Sequence, residues 1–229
     1  MFIIGHRGAG GIEPENTLRA LQKGIECADF VEIDLRLARD GIPVAIHDAT
    51  LDRTTDGTGP VKDHTIEELK GLDAGGGETI PTLQEILRLV CDRGAGLVVE
   101  IKEPGTEAII ASTLMDHMPD RLVLTSLYPE SVAMAKKLLP GARAGLIYLE
   151  PLDDPVGLAR QIQAEIILPW WDLVSREVVE RAQGAGLLVI PWTLDAPDDI
   201  REAVRLGVDG FVADDPCTAR RYLQSAGIK

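Results

Sequence analysis

One repeated unit most constrains what this chain can fold into: a short run rich in Val, Ile and Leu, followed by a stretch with helical periodicity. Such runs occur at Phe2–Gly5, Phe30–Leu35, Leu97–Ile101, Leu122–Ser126, Ala142–Tyr148, Glu165–Leu168, Leu187–Pro191 and Val208–Val212. The stretches between them predict helices over Thr17–Ala28, Thr82–Arg93, Gly105–His117, Pro129–Leu139, Asp154–Gln163, Ser175–Gly184, Pro197–Leu206 and Asp215–Ser225. Strand then helix, repeated, is the pattern of a parallel sheet with helices on its outer face, and eight such units are the number that closes a barrel. The 229 residues suffice for one (β/α)8 barrel, so a single domain over 1–229 is expected.

One apolar run breaks the pattern. Ile42–Asp48, "IPVAIHD", follows the turn signal Asp40-Gly41 with no room for the crossover helix that a parallel connection needs. It is expected to fold back as an antiparallel arm, which returns His47 to about the level of Asp34. After it, the Thr-, Asp- and Gly-rich segment 49–80 holds one short helical stretch, Thr65–Leu72, and reads as an excursion over the barrel mouth.

Glu32 and Asp34 stand two apart in an apolar strand, so both side chains point to the same side. Glu100 and Lys102 repeat the pattern at the end of "LVVEIK". Strand ends are where barrel active sites are assembled, and buried carboxylates need a positive partner. Glu32, Asp34 and Glu100 offer the hard oxygens that suit one divalent cation, Mg²⁺ or Ca²⁺, better than zinc. His6 and His47 close two other apolar runs in polar, glycine-flanked surroundings, where one on each side of a reacting phosphorus would serve as base and acid. Arg7 and Lys102 would hold non-bridging oxygens. Gly8 to Gly11 would let backbone approach a phosphate closely.

The charge balance fits a small anion only at such a local cluster. With 23 Lys+Arg against 37 Asp+Glu the chain carries a net charge of −14, which disfavours nucleic acid and anionic membrane surfaces as partners. No apolar run approaches the ~18 residues of a membrane span and no leader-like core follows Met1, so a cytoplasmic protein without stable membrane association is expected. Cys27, Cys91 and Cys217 are widely separated and odd in number, and are expected to be buried spectators. Oligomeric state has no signature in the sequence.

The ordered set "HRG" with "PENT", "EIDLRLARDGIPVAIHD", "LDRTTDGTG", "IPTLQEIL", "EIK", "PWTLD" and "GVDGFVADDP" resembles the glycerophosphodiester phosphodiesterase family over nearly the whole chain. The resemblance implies a TIM barrel with an insertion after the second strand, and metal-assisted hydrolysis of glycerophosphodiesters to sn-glycerol 3-phosphate and an alcohol. It further implies His6 and His47 as the catalytic pair, Glu32, Asp34 and Glu100 as metal ligands, and Arg7 and Lys102 as phosphate contacts. Two positions depart from the family pattern: Ser126-Leu127 where Ser-Phe is frequent, and Ala38-Arg39 where a Thr is usual before Lys-Asp-Gly. His6 is provisionally the base and His47 the acid. The alternatives are headgroup release from lysophospholipids and a noncatalytic binding module on a degenerate barrel.

The remaining polar residues have plainer readings. Asn16 or Thr17 is expected to cap the first helix, with Glu15 and Asn16 as possible supports of the site. Trp192 is placed as a pocket residue, whereas Trp170 and Trp171 serve equally as rim or packing residues. Asp214-Asp215-Pro216 reads as a helix cap, His64 and His117 as solvated or capping, and Asp52–Gly59 as turns of the excursion.

Overall fold

A computed structural model describes residues 1–228. Along the chain run β1 (Phe2–Gly5), α1 (Leu18–Cys27), β2 (Phe30–Leu37), β3 (Pro43–Ala45), α2 (Ile66–Lys70), α3 (Leu83–Arg93), β4 (Gly96–Ile101), α4 (Glu107–Asp116) and β5 (Leu122–Ser126). There follow α5 (Pro129–Leu138), β6 (Arg143–Tyr148), α6 (Pro155–Gln161), β7 (Ile166–Pro169), α7 (Arg176–Gly184), β8 (Leu188–Val189), α8 (Pro197–Leu206), β9 (Gly210–Ala213) and α9 (Pro216–Ser225). Each run expected to be a strand is one, with its ends moved by a few residues.

All strands but β3 lie parallel, in the order β8-β7-β6-β5-β4-β2-β1-β9. The two ends of that order meet where Asp209 N donates to Val189 O (3.0 Å) and Val212 N to Pro191 O (2.9 Å), so the eight strands form a nearly closed barrel. Alternation along the strands sends Ile4, Val98, Val123, Ile147, Ile166, Leu168, Ile190 and Val212 into one cluster that fills the lumen. The opposite faces of the strands bury Val31, Ile33, Leu97 and Val99 against Leu21, Ile86, Leu87 and Ile110 of the helices. Caps start the helices where the sequence changes character: the Thr17 hydroxyl accepts from Ala20 N (3.2 Å), and Thr82 with Glu85 forms a reciprocal capping box on α3.

The exceptional run folds back as expected. β3 pairs antiparallel to β2, Leu35 facing Ala45, and Ile46 N donates to Asp34 O (2.9 Å), which sets His47 beside the end of β2. At the turn, Gly41 takes φ +79°, a left-handed conformation that costs a residue without Cβ little. The excursion packs Leu51, Val61, Leu69 and Ile80 onto Val44 and Ile46 of the arm, a small apolar cluster of its own. Ala38 belongs to that cluster and Arg39 donates to Asp63 O (2.8 Å), so this departure from the family pattern faces the excursion and not the pocket.

The cysteines correct the sequence-based expectation. Cys27, the last residue of α1, and Cys217, near the start of α9, form a disulfide across 190 residues of sequence, with Cα atoms 4.9 Å apart. Barrel closure is the reason: β1 pairs with β9, Ile4 facing Val212, and this sets α1 beside α9. Cys91 remains a free thiol.

Candidate active site

At the ends of β1, β2 and β4 the barrel opens into a cavity of about 310 Å³. His6, Arg7, Glu32, His47, Glu100 and Lys102 line one side of it; Leu127, Leu149, Leu168 and Trp192 are among the residues of the other. The residues singled out from sequence therefore do converge.

The acidic group is built by strand register. Asp34 on β2 faces Glu100 on β4, and Glu32 lies two residues back along the same strand. One carboxylate oxygen from each of Glu32, Asp34 and Glu100 falls within 4.8 Å of the others. Glu32 and Asp34 are almost wholly buried, 6% and 1% exposed. Burial together with the charge of Asp34 pushes the Glu32 carboxyl up to about 8, and the same two causes raise Glu100. Burial works against the Asp34 carboxylate too, but Lys102 and Arg7 outweigh it and hold Asp34 below the usual range. Lys102 Nζ lies 2.7 Å from Glu100 Oε1 and 3.3 Å from Asp34 Oδ1. Glu32 Oε1 is buried with no hydrogen-bond partner. An orphaned oxygen in a cluster of three mutually repelling, oxygen-only donors fits a hard divalent cation.

The loop after β1 is held in an uncommon backbone state. Arg7 (φ +50°) and Asn16 (φ +59°) both sit in the left-handed region, which is costly for residues that carry a Cβ. Compensating bonds surround them: Arg7 N donates to Glu32 Oε2 (2.8 Å), and Asn16 N to Arg7 O (3.0 Å). Arg7 Nε comes within 3.2 Å of Asp34 Oδ2 and its NH1 donates to Glu15 Oε1 (2.6 Å). Gly8 has a structural role: a Cβ there would lie 2.5 Å from the Ala20 carbonyl carbon and 2.6 Å from Leu21 N, so its absence lets α1 close on the loop.

Each histidine has a carboxylate on its Nδ1. His6 Nδ1 is 2.6 Å from Asp214 Oδ1, and His47 Nδ1 is 2.6 Å from Asp48 Oδ1. An ionised carboxylate only accepts, so Nδ1 carries the hydrogen in both and Nε2 is left for chemistry. The environments then diverge. Burial disfavours the His6 imidazolium, but the Asp214 hydrogen bond and the nearby Glu32 charge overcome it and raise His6 above its ordinary value. For His47 burial prevails; Asp34 and Asp48 oppose it, Lys102 and Arg7 reinforce it, and the value falls. Arg36 Nε donates to the His47 carbonyl (2.9 Å), fixing the end of the arm.

Of the groups that surround the site, the sequence reading offered Glu15 and Asn16 as supports and missed Asp48, Arg53 and Asp214. Asn16 is not the helix cap, which is Thr17; its amide donates to Asp34 Oδ2 (2.8 Å) while its carbonyl oxygen accepts from Asp34 N (3.1 Å). Asp215 caps α9 by accepting from Thr218 N (2.8 Å), as expected, but Asp214 beside it serves His6. Arg53, read as part of a turn, bonds Glu15 and Asp48. Its hydrogen bonds hold Asp48 well below the usual carboxylate range. "IHD" and "PEN" carry a local signal for Asp48 and Asn16 in their adjacency to site residues. Asp214 lies 208 positions from His6 and has none. Trp192 lines the apolar side, its Nε1 donating to Leu168 O (3.0 Å) and its ring edge-to-face with Trp170 at 5.1 Å. Leu127, the second departure from the family pattern, lines the same cavity.

Comparison with known proteins gives a consistent result. Residues 6–218 match the model of the glycerophosphoryl diester phosphodiesterase family. A glycerophosphodiester phosphodiesterase of Caldanaerobacter subterraneus subsp. tengcongensis is 36% identical over 240 residues, covering 99% of this chain and 99% of that one. An Oleispira antarctica phosphodiesterase, solved in complex with the product sn-glycerol-3-phosphate, superposes with a TM-score of 0.93 at 30% identity, covering 98% of this chain and 97% of that one. A putative glycerophosphodiester phosphodiesterase of Galdieria sulphuraria superposes with a TM-score of 0.89 at 30% identity, with 97% of each chain covered.

Proposed function

The chain belongs to the glycerophosphoryl diester phosphodiesterase family, and on that premise we propose that it hydrolyses small glycerophosphodiesters to sn-glycerol 3-phosphate and an alcohol. The observation that carries this reading is the meeting, in one cavity, of two carboxylate-supported histidines with a buried three-carboxylate cluster. The product held by the Oleispira relative supports the choice of substrate.

Glu32, Asp34 and Glu100 would hold one divalent cation, Mg²⁺ or Ca²⁺, whose charge supplies stabilisation for the phosphoryl oxygens as negative charge builds on them. Arg7 and Lys102 bind and orient the non-bridging oxygens. The opposite titration directions of the histidines favour the reverse of the provisional allocation: His6, whose surroundings shift it toward the protonated form, gives a proton to the leaving alkoxide, and His47, shifted toward the neutral form, takes one from the nucleophile. Asp214 and Asp48 each hold an Nδ1–H, so that Nε2 is the nitrogen that gives or takes the proton.

The test is release of sn-glycerol 3-phosphate from glycerophosphocholine and glycerophosphoethanolamine, read by a coupled dehydrogenase, in Mg²⁺, Ca²⁺ or EDTA. Metal-dependent release is expected. Undiminished release in EDTA would remove the metal role, and no release from either compound would remove the reading.

The apolar half of the cavity favours a second reading. Leu127, Leu149, Leu168 and Trp192 offer a wall for an aliphatic substituent, as headgroup release from a lysophospholipid requires. A lower KM for a lysophospholipid than for its deacylated counterpart would establish it.

No described helix is long and apolar enough to cross a membrane. For the compartment, the cytoplasmic expectation requires Cys27 and Cys217 as thiols, whereas their disulfide belongs with an oxidising environment. Alkylation and mass measurement of freshly prepared protein decides between them.

A further inference from the structure

Arg53 lies in the excursion, outside the barrel, and its side chain is 46% exposed. It nevertheless grips two carboxylates from two different loops. NH1 donates to Glu15 Oε2 and NH2 to Glu15 Oε1, both at 2.8 Å, while Nε donates to Asp48 Oδ2 (2.7 Å) and NH2 also to Asp48 Oδ1 (3.0 Å). Each of those carboxylates continues to a group in the cavity: Glu15 Oε1 accepts from Arg7 NH1 (2.6 Å), and Asp48 Oδ1 meets His47 Nδ1 (2.6 Å). One guanidinium thus joins, through a single intervening side chain on each side, a phosphate-holding arginine and a proton-transfer histidine.

We infer that Arg53 is a positioning residue: it fixes Arg7 and His47 relative to one another, so that the excursion completes the active site when it lies against the barrel mouth. An exposed ion pair contributes little to stability, but a planar fork that engages both oxygens of two carboxylates restricts where those carboxylates sit. Arg7 needs that restraint, because its backbone is in the left-handed region and its side chain already lies against Asp34. His47 needs it as well, lying two residues beyond a three-residue arm strand that has only a single bridge, Val44 to Thr82, on the side away from β2. A lysine could not replace the fork, since one ammonium cannot engage both carboxylates bidentately.

The inference rests on the proposed diesterase reading, and its test separates the two. Wild-type enzyme without metal-dependent release would sink that reading before any variant is made. With an active wild type, Arg53→Ala is expected to lower kcat by about 10²-fold with KM little changed, the signature of misplaced reacting groups. Arg53→Lys is expected to recover only part of the loss. Millimolar guanidinium, well below denaturing levels, is expected to restore Arg53→Ala while methylammonium does not, a rescue that a merely structural role would not give. A readout independent of turnover is the His47 Nδ1–H resonance, which is expected to lose protection from exchange in Arg53→Ala. Wild-type kcat in Arg53→Ala overturns the inference, and so does a slow variant that guanidinium leaves slow or a His47 resonance that does not change.

Discussion

The two histidine rims of the cavity share one device and differ in how it is built. At the β1 rim, His6 receives its carboxylate from Asp214, which arrives across the barrel seam; at the arm rim, His47 receives its own from the next residue, Asp48. Both contacts measure 2.6 Å, yet His6 is raised and His47 lowered. The paired distance therefore does not set the proton affinity. Each ring has a second carboxylate near it, Glu32 for His6 and Asp34 for His47, and Arg7 lowers both; what His47 has besides is Lys102, and its carboxylate is already engaged by Arg53. One motif gives two rings that shift in opposite directions because its surroundings decide which form of the ring is favoured.

The contrast breaks most completely under deletion. His6→Ala and His47→Ala should each lose about 10²–10⁴ in kcat, the contribution of a positioned proton-transfer group. A diester with a 4-nitrophenolate leaving group needs no protonation, so on that substrate His6→Ala should regain most of its rate and His47→Ala none. Equal recovery of both, measured by nitrophenolate release, would erase the assigned difference.

A second way to sharpen it lies in the seam. Cys217 follows Asp214 by three positions, so Cys27→Ser should loosen the support of His6 and leave Asp48 in place. Its global stability should fall by about 2–4 kcal/mol, the usual range for losing a long-loop bridge. Urea unfolding with and without reductant measures this, and an unchanged midpoint would show that the bridge does not hold α1 to α9.

The pH profile gives a smaller and more specific effect. Asp214 raises His6, so Asp214→Asn should lower its pKa; the acid form is then lost earlier as pH rises, and the alkaline limb of kcat/KM moves to lower pH. Asp48 also raises its partner, so Asp48→Asn should move the acid limb to lower pH and leave the alkaline limb in place. Limbs that respond the other way round would reverse the two roles. Trp192→Leu, away from both rims, should change KM by about threefold at most, consistent with one altered apolar contact.

How much of this was legible in sequence depends on range. The strands were readable because each is a short branched-aliphatic run, and the arm because Asp40-Gly41 leaves no length for a crossover. The carboxylate cluster was readable too, since period-two spacing in β2 puts Glu32 and Asp34 on one side and parallel register brings Glu100 level with Asp34. Asp214 and the Cys27–Cys217 bridge were not, because the contacts that create them span 208 and 190 positions and exist only once the barrel closes. The closure itself held the missing signal: a ring of eight units makes the first helix a neighbour of the last. Arg53 was missed for a different reason, since turn chemistry fully accounts for "DRTTDG" and nothing local betrays two outside carboxylates.

That same bridge determines how the molecule would respond to mechanical load. A force applied to residues on either side of the 27–217 span passes through the Cys27–Cys217 bond instead of along the backbone between them. Only the flanking segments can lengthen: the barrel strands β2 to β9, His47 and both supporting carboxylates, Asp48 and Asp214, lie inside the protected loop, and His6 lies outside it. Under tension the protein would yield in those flanking segments, β1 with His6 and the part of α9 after Cys217, while the arm, the excursion and the carboxylate cluster remain unstretched until the bond is reduced.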